Sequence, residues 1–122
     1  VRYAEEAGRI YGSDTRNFLR LFVIPGLLHC AGGTGQPTNV METVLEAGFR
    51  WAEKNDAPDA LILSNPPETE RGPMIETDPK GPITRTYLVC PYPTRSAFKG
   101  GLANGSRLDV SNADNYFCEK EG

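Results

Sequence analysis

The fifteen residues Leu21–Gly35 constrain the fold of this chain more than any other segment. They begin with a continuously apolar run, which is typical of a strand covered on both faces, and reach a turn signal at Pro25-Gly26. The only histidine of the chain, His29, follows together with Cys30 and a glycine-rich turn. Open α/β sheets carry their reactive groups beyond the carboxyl ends of their strands. The segment therefore predicts an α/β sheet with a histidine at its functional edge.

Two helices are predicted on either side of this segment. The first spans Val1–Gly12, and a strand at Phe18–Ile24 follows it. The second runs to about Lys54 and starts at Asn39, which forms a capping-box pattern with Glu42 three residues later. Helical spacing predicts the buried faces, which are Tyr3, Ala4, Ala7, Ile10 and Tyr11 in the first helix and Met41, Val44, Leu45, Gly48, Trp51 and Ala52 in the second.

The second half of the chain has weaker patterns. A short strand is predicted at Ala60–Leu63 and another at Thr84–Cys90. Residues 64–82 contain five prolines and little periodicity, which predicts an extended surface loop. Beyond Ser96 the tail is rich in glycine and asparagine up to Tyr116–Cys118, and no further element is predicted there.

A chain of 122 residues amounts to one domain or to a piece of a larger one. Two or three strands and two helices are too few for an independent α/β sheet. The apolar strand in Leu21–Ile24 would also keep an uncovered face or edge if the chain stood alone. We therefore expect residues 1–122 to be one part of a larger α/β domain.

Composition excludes several classes of function. The net charge is −3 and no basic cluster occurs, so we expect no nucleic-acid partner. The longest apolar run, Leu21–Pro25, is far shorter than a membrane span. The N-terminus has no signal-peptide pattern, so a mature or cleaved chain is expected. We expect no metal site, because the acidic residues of the loop lack ligand spacing: Glu68, Glu70, Glu76 and Asp78. No cofactor is expected in this chain either.

The chain has three cysteines, an odd number. In an oxidising compartment one of them must pair outside this sequence or remain free. Cys90 and Cys118 lie in irregular stretches and are the favoured internal pair, which leaves Cys30. Asn104 begins an N-glycosylation sequon, which agrees with a secreted, extracellular location.

A neutral imidazole such as that of His29 can take a proton from a serine hydroxyl at physiological pH. The matching nucleophile is missing, because the sequence contains no G-x-S-x-G elbow. Ser64, Ser96 and Ser106 are better interpreted as loop residues. Two alternatives stay open from the residues alone: His29 as a loop histidine without a chemical role, and Cys30 as a small buried thiol.

Two further patterns have competing interpretations. Gly32–Gly35 resembles a phosphate cradle but lacks the lysine and the following hydroxyl residue of a P-loop, which favours a flexible turn. Trp51 and Tyr92 are candidates to line an aromatic substrate pocket, although packing in the core is the interpretation we favour.

The combination P-G-x-x-H-C-x-G-G, W-x-E-x-x-x-A-P-D and C-P-Y-P is specific. It resembles the C-terminal portion of the tannase and feruloyl esterase family of α/β-hydrolases over most of the chain. The resemblance is densest in four segments, which are Phe18–Gly33, Phe49–Ile62, Thr84–Pro93 and Ser111–Cys118.

This resemblance implies a role for four residues. His29 matches the histidine of a Ser-Asp-His triad, and Cys30 matches a cysteine bonded to one that precedes the nucleophilic serine. Cys90 and Cys118 match a structural disulfide. The serine, the acid and the lid domain lie upstream in the family. In α/β-hydrolases the histidine comes last in sequence, so a piece holding only the histidine is C-terminal. Asp14 precedes the strand, at the opposite end of the sheet from His29, and is rejected as the acid.

The expected function is hydrolysis of esters of aromatic acids, of galloyl or feruloyl type, with this chain supplying His29. The expected partners are the aromatic ester and another fragment of the same precursor, which carries the serine and the acid and is linked through Cys30. The alternative from another class is a non-catalytic structural or partner module that retains the disulfide-stabilised hydrolase fragment.

Overall fold

The computed structural model describes residues 1–27, 39–65, 83, 85–103 and 105–120. Helix α1, Arg2–Tyr11, opens the chain, and an ion pair between Glu6 and Arg9 spans one of its turns. Gly12 follows with a φ of 57°, a left-handed value that glycine adopts without strain, and ends the helix. A 3₁₀ helix, Gly12–Asn17, continues from it.

Helix α2, Val40–Lys54, is the longer of the two α-helices in the described part of the chain. It ends at Asn55, which has a φ of 55° and whose N–H donates to the carbonyl of Trp51 at 3.0 Å. Asparagine tolerates this left-handed geometry better than most residues. The predicted end of the helix at about Lys54 is confirmed.

Three antiparallel pairs make up the described strands. They are β1 (Leu61–Asn65) with β2 (Arg85–Val89), β3 (Thr94–Phe98) with β6 (Tyr116–Lys120), and the short β4 (Leu102–Ala103) with β5 (Ser106–Arg107). The register of the first pair places Leu61 opposite Val89 and Leu63 opposite Tyr87. The predicted strands at 60–63 and 84–90 correspond to β1 and β2.

A small core joins α2 to the β1–β2 pair. Its buried members are Val40, Leu61, Leu63 and Val89. Leu61 and Leu63 point inward because alternate residues of a strand share a face, and Ile62 between them is 53% exposed. Five partly buried side chains pack around this core cluster: Phe22, Ile24, Leu27, Ala47 and Tyr87.

The prediction of a full strand over Phe18–Ile24 is wrong. The structure has one isolated antiparallel bridge there, between Phe22 and Pro91, and one flanking hydrogen bond from the N–H of Tyr92 to the carbonyl of Leu21 at 2.7 Å. Proline has no N–H, so a ladder cannot continue regularly at that position. Val23 is 50% exposed, and the segment is therefore not covered on both faces.

The capping box and the buried face predicted for α2 are also wrong. The side chain of Asn39 makes no cap hydrogen bond, and the helix packs on the core through Val40 and Ala47, while Thr43 and Trp51 beside them are half-buried. The β1–β2 pair covers only this side of the helix. Most of the predicted face is exposed, which applies to Met41, Val44, Leu45, Gly48 and Ala52.

The tail contains more regular structure than the sequence predicts. β4, β5 and β6 lie beyond Ser96, where no element was expected, and β3 begins two residues before it, because cross-strand pairing rather than local pattern orders these strands. Ser64, Ser96 and Ser106 lie in strands, not loops, and residues 66–82 of the predicted surface loop lie outside the described residues. Among the helices of the described part, none combines the length and apolar character needed to cross a membrane.

Candidate functional site

His29 and Cys30 lie outside the described residues, and so do Gly32–Gly35 and Asn104. Their predicted roles stay predictions. The structure describes the residues on both sides of the histidine-bearing segment, which end at Leu27 and resume at Asn39. These two flanks show what supports the candidate site.

The flank before the histidine is fixed to the turn that carries the C-P-Y-P motif. The bridge between Phe22 and Pro91 and the hydrogen bond between Tyr92 and Leu21 make this connection. Ile24 and Leu27 then pack against the core cluster. Full burial of a side chain of this size stabilises a fold by roughly 1.5–3 kcal/mol. Ile24 and Leu27 contribute less than this, because they are partly exposed.

The flank after the histidine is fixed by Asn39, for which the sequence pattern predicts a role in a capping box. Its Oδ1 accepts a hydrogen bond of 2.8 Å from the backbone N–H of Ser64 in β1. Ser64 is buried, so this N–H needs a partner inside the protein. Val40, the next residue, belongs to the core cluster. Both flanks therefore rest on the same small core.

Cys90 and Cys118 form a disulfide with 5.6 Å between their Cα atoms. Cys90 directly follows β2 and is buried, and Cys118 lies in β6 opposite Ser96 of β3. The bond joins the two larger strand pairs at the edge of the core. It is the internal pair that the sequence favours.

Trp51 and Tyr92, the two aromatic residues considered for a substrate pocket, are half-buried and lie outside the core cluster. The guanidinium of Arg20 lies over the ring of Trp51 at 5.4 Å from its centroid, a cation–π contact. Burial lowers the pKa of Arg20, and its Nε has no hydrogen-bond partner among the described residues. The hydroxyl of Tyr92 donates to Glu5 of α1 at 2.8 Å.

The S-N-A-D-N-Y-F-C motif packs against β2 through Thr86. The N–H of Thr86 donates to the carbonyl of Ser111 at 2.8 Å, and its Oγ1 accepts from the N–H of Ala113 at 2.8 Å. Asp109 accepts from the hydroxyl of Ser111 at 2.7 Å and from its N–H at 2.8 Å. These two bonds, the hydroxyl first, lower the pKa of the Asp109 carboxyl.

A groove of about 450 Å³ lies between α2 and the segment that leads into β1. Arg50 and Asp56 form an ion pair in it, which raises the pKa of Arg50. The described residues that line the groove include no histidine or cysteine. Nowhere in the described part of the chain do three histidine, cysteine, aspartate or glutamate side chains form a group that could hold a metal ion.

The two α-helices and the three strand pairs define a mixed α/β architecture. A solved structure with the same fold is that of an esterase from Aspergillus oryzae, with a TM-score of 0.68 and 23% sequence identity. The alignment covers 96% of this chain and 23% of that one.

The sequence comparisons identify the family. Residues 1–118 match the family described as tannase and feruloyl esterase, and the chain belongs to it. A probable feruloyl esterase from Arthroderma benhamiae is 32% identical over 90% of this chain and 17% of its own length. A mono(2-hydroxyethyl) terephthalate hydrolase from Piscinibacter sakaiensis is 33% identical over 83% of this chain and 14% of its own. The chain therefore spans about a sixth of the length of these curated relatives.

Proposed function

We propose that this chain is the histidine-bearing part of a carboxylic ester hydrolase that acts on esters of aromatic acids. The observation that carries the proposal is the family match over residues 1–118, which includes His29, the only histidine of the chain. The names of two relatives support the substrate class, since ferulate and terephthalate are both aromatic carboxylates. A galloyl or feruloyl ester is the substrate we propose for this chain.

The reaction proceeds through an acyl-enzyme. A serine hydroxyl from the rest of the polypeptide attacks the ester carbonyl, and His29 accepts the hydroxyl proton. The protonated imidazole then donates that proton to the departing alcohol. In the second half His29 takes a proton from water, which attacks the acyl-enzyme carbonyl. The imidazolium then returns this proton to the serine oxygen as the bond between the serine and the acyl group breaks, which releases the aromatic acid and restores the free serine. Backbone N–H groups near the serine stabilise the oxyanion in both halves.

The nucleophile and the acid come from another segment of the same precursor. Cys30 is proposed to bond to a cysteine beside that serine, which would hold nucleophile and base together. The acid holds the imidazole in the tautomer that accepts the proton. By itself this chain is then inactive. A secreted, extracellular enzyme agrees with the disulfide between Cys90 and Cys118, because disulfides form in oxidising compartments. The hydrolase sheet is completed by that segment.

The decisive experiment is His29→Ala in the complete enzyme. We expect kcat on methyl ferulate or methyl gallate to fall by about a thousandfold or more, because general-base activation of the serine is lost. The melting temperature should stay within a degree or two of that of the parent. Glu46→Gln, an exposed substitution on α2, is the matched control and should leave kcat unchanged. Near-normal turnover in the His29 variant would refute the catalytic role.

Labelling with a serine-directed covalent inhibitor tests the alternative of a non-catalytic module, which family membership does not favour. The proposed enzyme is modified at one serine outside this chain. A structural module is modified at no serine at all, and that result would overturn the proposal.

A further inference from the structure

Tyr92, the tyrosine of the C-P-Y-P motif, is bonded at two points to the part of the chain that leads into the candidate site. Its backbone N–H donates to the carbonyl of Leu21 at 2.7 Å. Its hydroxyl donates to Oε1 of Glu5 in α1 at 2.8 Å. This one residue therefore holds both ends of residues 5–21, which we call the lead-in segment. His29 lies eight residues beyond the second end.

The lead-in segment is braced by its own contacts. The hydroxyl of Thr15 donates to the carbonyl of Ala7 at 3.1 Å, which ties the 3₁₀ helix to α1. The rings of Tyr11 and Phe18 meet edge to face, with 5.3 Å between their centroids. These contacts connect α1 to the residues just before Leu21. A tilt of α1 is therefore transmitted to Leu21 and is not absorbed between them.

The two bonds of Tyr92 fix different points of the lead-in segment. The bond to Leu21 fixes its last residue, and the backbone bridge next to it and the cation–π contact of Arg20 with Trp51 act at the same end. Contacts at one end of a braced segment leave it able to pivot about that end. The bond from the Tyr92 hydroxyl to Glu5 attaches the other end and opposes the pivot.

We propose that Tyr92 is a positioning residue for His29, and that its hydroxyl acts by fixing the tilt of the lead-in segment through Glu5. This inference rests on the proposed function in so far as His29 is the general base. A general base must lie within about 2.6–3.2 Å of the group whose proton it accepts. A misplacement of about 1 Å can lower turnover by up to about a hundredfold, so a small pivot of the lead-in segment is enough to reduce the rate.

A direct role of Tyr92 in an aromatic substrate pocket predicts a different kinetic result. A residue that binds the substrate equally in the ground state and the transition state changes KM, whereas a residue that positions the base changes kcat and leaves KM. The hydroxyl of Tyr92 is already bonded to Glu5, and this favours the positioning role.

The test uses the complete enzyme. Tyr92→Phe removes the hydroxyl and keeps the ring, and we expect kcat on methyl ferulate to fall about three- to tenfold with KM within about twofold of the parent value. Glu5→Ala removes the acceptor and should have the same effect. The double variant should lose no more than either single variant, because both remove one bond. Glu5→Gln keeps an acceptor oxygen and should restore most of the rate.

Tyr116→Phe is the matched control. The hydroxyl of Tyr116 donates to the carbonyl of Val110 at 2.9 Å, so this variant also loses one tyrosine hydrogen bond, here between two residues of the tail. Its kcat should equal that of the parent. Equal losses of kcat in Tyr92→Phe and Tyr116→Phe would indicate a general effect on stability and overturn the proposal. An unchanged kcat in Tyr92→Phe, with or without a raised KM, would overturn it as well.

Hydrogen exchange separates this proposal from the proposed function, because it requires no turnover. The N–H of Tyr92 donates to Leu21, and both neighbours of Tyr92 are prolines without an N–H, so a short peptide reports this one bond. In Glu5→Ala it should exchange at least about threefold faster than in the parent, and in Tyr116→Phe at the parental rate. An unchanged rate in Glu5→Ala would overturn the proposal. Faster exchange there, together with normal turnover in His29→Ala, would refute the proposed function and leave the anchoring by Tyr92 intact.

Discussion

Single polar side chains decide how the segments around the candidate site are held. Asn39 illustrates this most clearly, because its position in front of a helix predicts a cap, whereas its Oδ1 is used by the buried N–H of Ser64 twenty-five residues away. A buried strand N–H cannot bind water, whereas the N–H groups at an exposed helix terminus can. The amide oxygen of Asn39 therefore contributes more to stability when it accepts from the strand. The local pattern could not reveal this, since the competitor is remote in sequence.

Asn39→Ala should lower the free energy of unfolding by about 1–3 kcal/mol, because it leaves the buried Ser64 N–H without an acceptor. Asn39→Asp retains an acceptor oxygen and should recover most of the loss at neutral pH. Urea unfolding of the three proteins measures the effect. If Asn39→Ala and the parent share the same midpoint and slope, the hydrogen bond contributes nothing to stability.

Asp109 should make the protein sensitive to acid. Its pKa in the folded state lies below the ordinary value of 3.8 because of the Ser111 hydrogen bonds. A lowered folded-state pKa contributes stability that is fully present above the ordinary value and is lost as the pH falls through the depressed value. Asp109 is exposed, so the effect is small. We expect Asp109→Asn to lower the melting temperature at pH 7, and the difference from the parent to shrink as the pH falls below the ordinary value of 3.8 and through the depressed pKa of Asp109. A difference that stays constant at every pH where the protein remains folded would contradict this.

At the scale of elements, helices followed local pattern more closely than strands did. α1 and α2 lie within one or two residues of their predicted bounds, because glycine, asparagine and apolar spacing are local signals. The apolar run at Leu21–Ile24 has strand composition yet forms a single bridge, since a strand requires a neighbour with free backbone groups. β3 and β6 were missed for the converse reason, because each is ordered by the other.

The disulfide between Cys90 and Cys118 should be the strongest single cross-link between elements in the described chain. It closes a separation of 28 residues, which corresponds to about 3–4 kcal/mol in the chain-entropy description. Replacing both cysteines by serine should lower the free energy of unfolding by about that amount. Denaturant unfolding measures it, with Ser96→Ala in the facing strand as the control. A loss below about 1 kcal/mol would show that the β3–β6 pair stays docked without the bond.

The molecule as a whole has a small core for its length. Seven apolar side chains are buried among the described residues, against fifteen large ones that are exposed. Three of the exposed side chains, Met41, Val44 and Leu45, lie on one side of α2. The greater length of the relatives agrees with the proposal that more polypeptide completes this chain.

The prediction for the whole molecule concerns the disulfide partner of Cys30. The natively purified protein should run as a larger species that releases this chain only after reduction, because Cys30 is proposed to bridge to the segment with the nucleophile. Mass spectrometry without and with reductant, under denaturing conditions, makes the measurement, and Cys30→Ser is the matched control that releases the chain in both. If the mass of the unreduced species is that of this chain alone and Cys30 reacts as a free thiol, the bridge does not exist.

The amino-acid sequence alone indicates the family, both α-helices, the approximate positions of β1 and β2, and the pairing of Cys90 with Cys118. These depend on signals that are local or are carried by motif composition. The folded chain adds which face of α2 packs, that Asn39 accepts a hydrogen bond from β1, and that Phe22 forms a bridge with Pro91. In each case several partners compete for one side chain, one helix face or one backbone edge. Burial and hydrogen bonding between residues far apart in sequence determine which partner is bound, and a local sequence pattern does not contain that information.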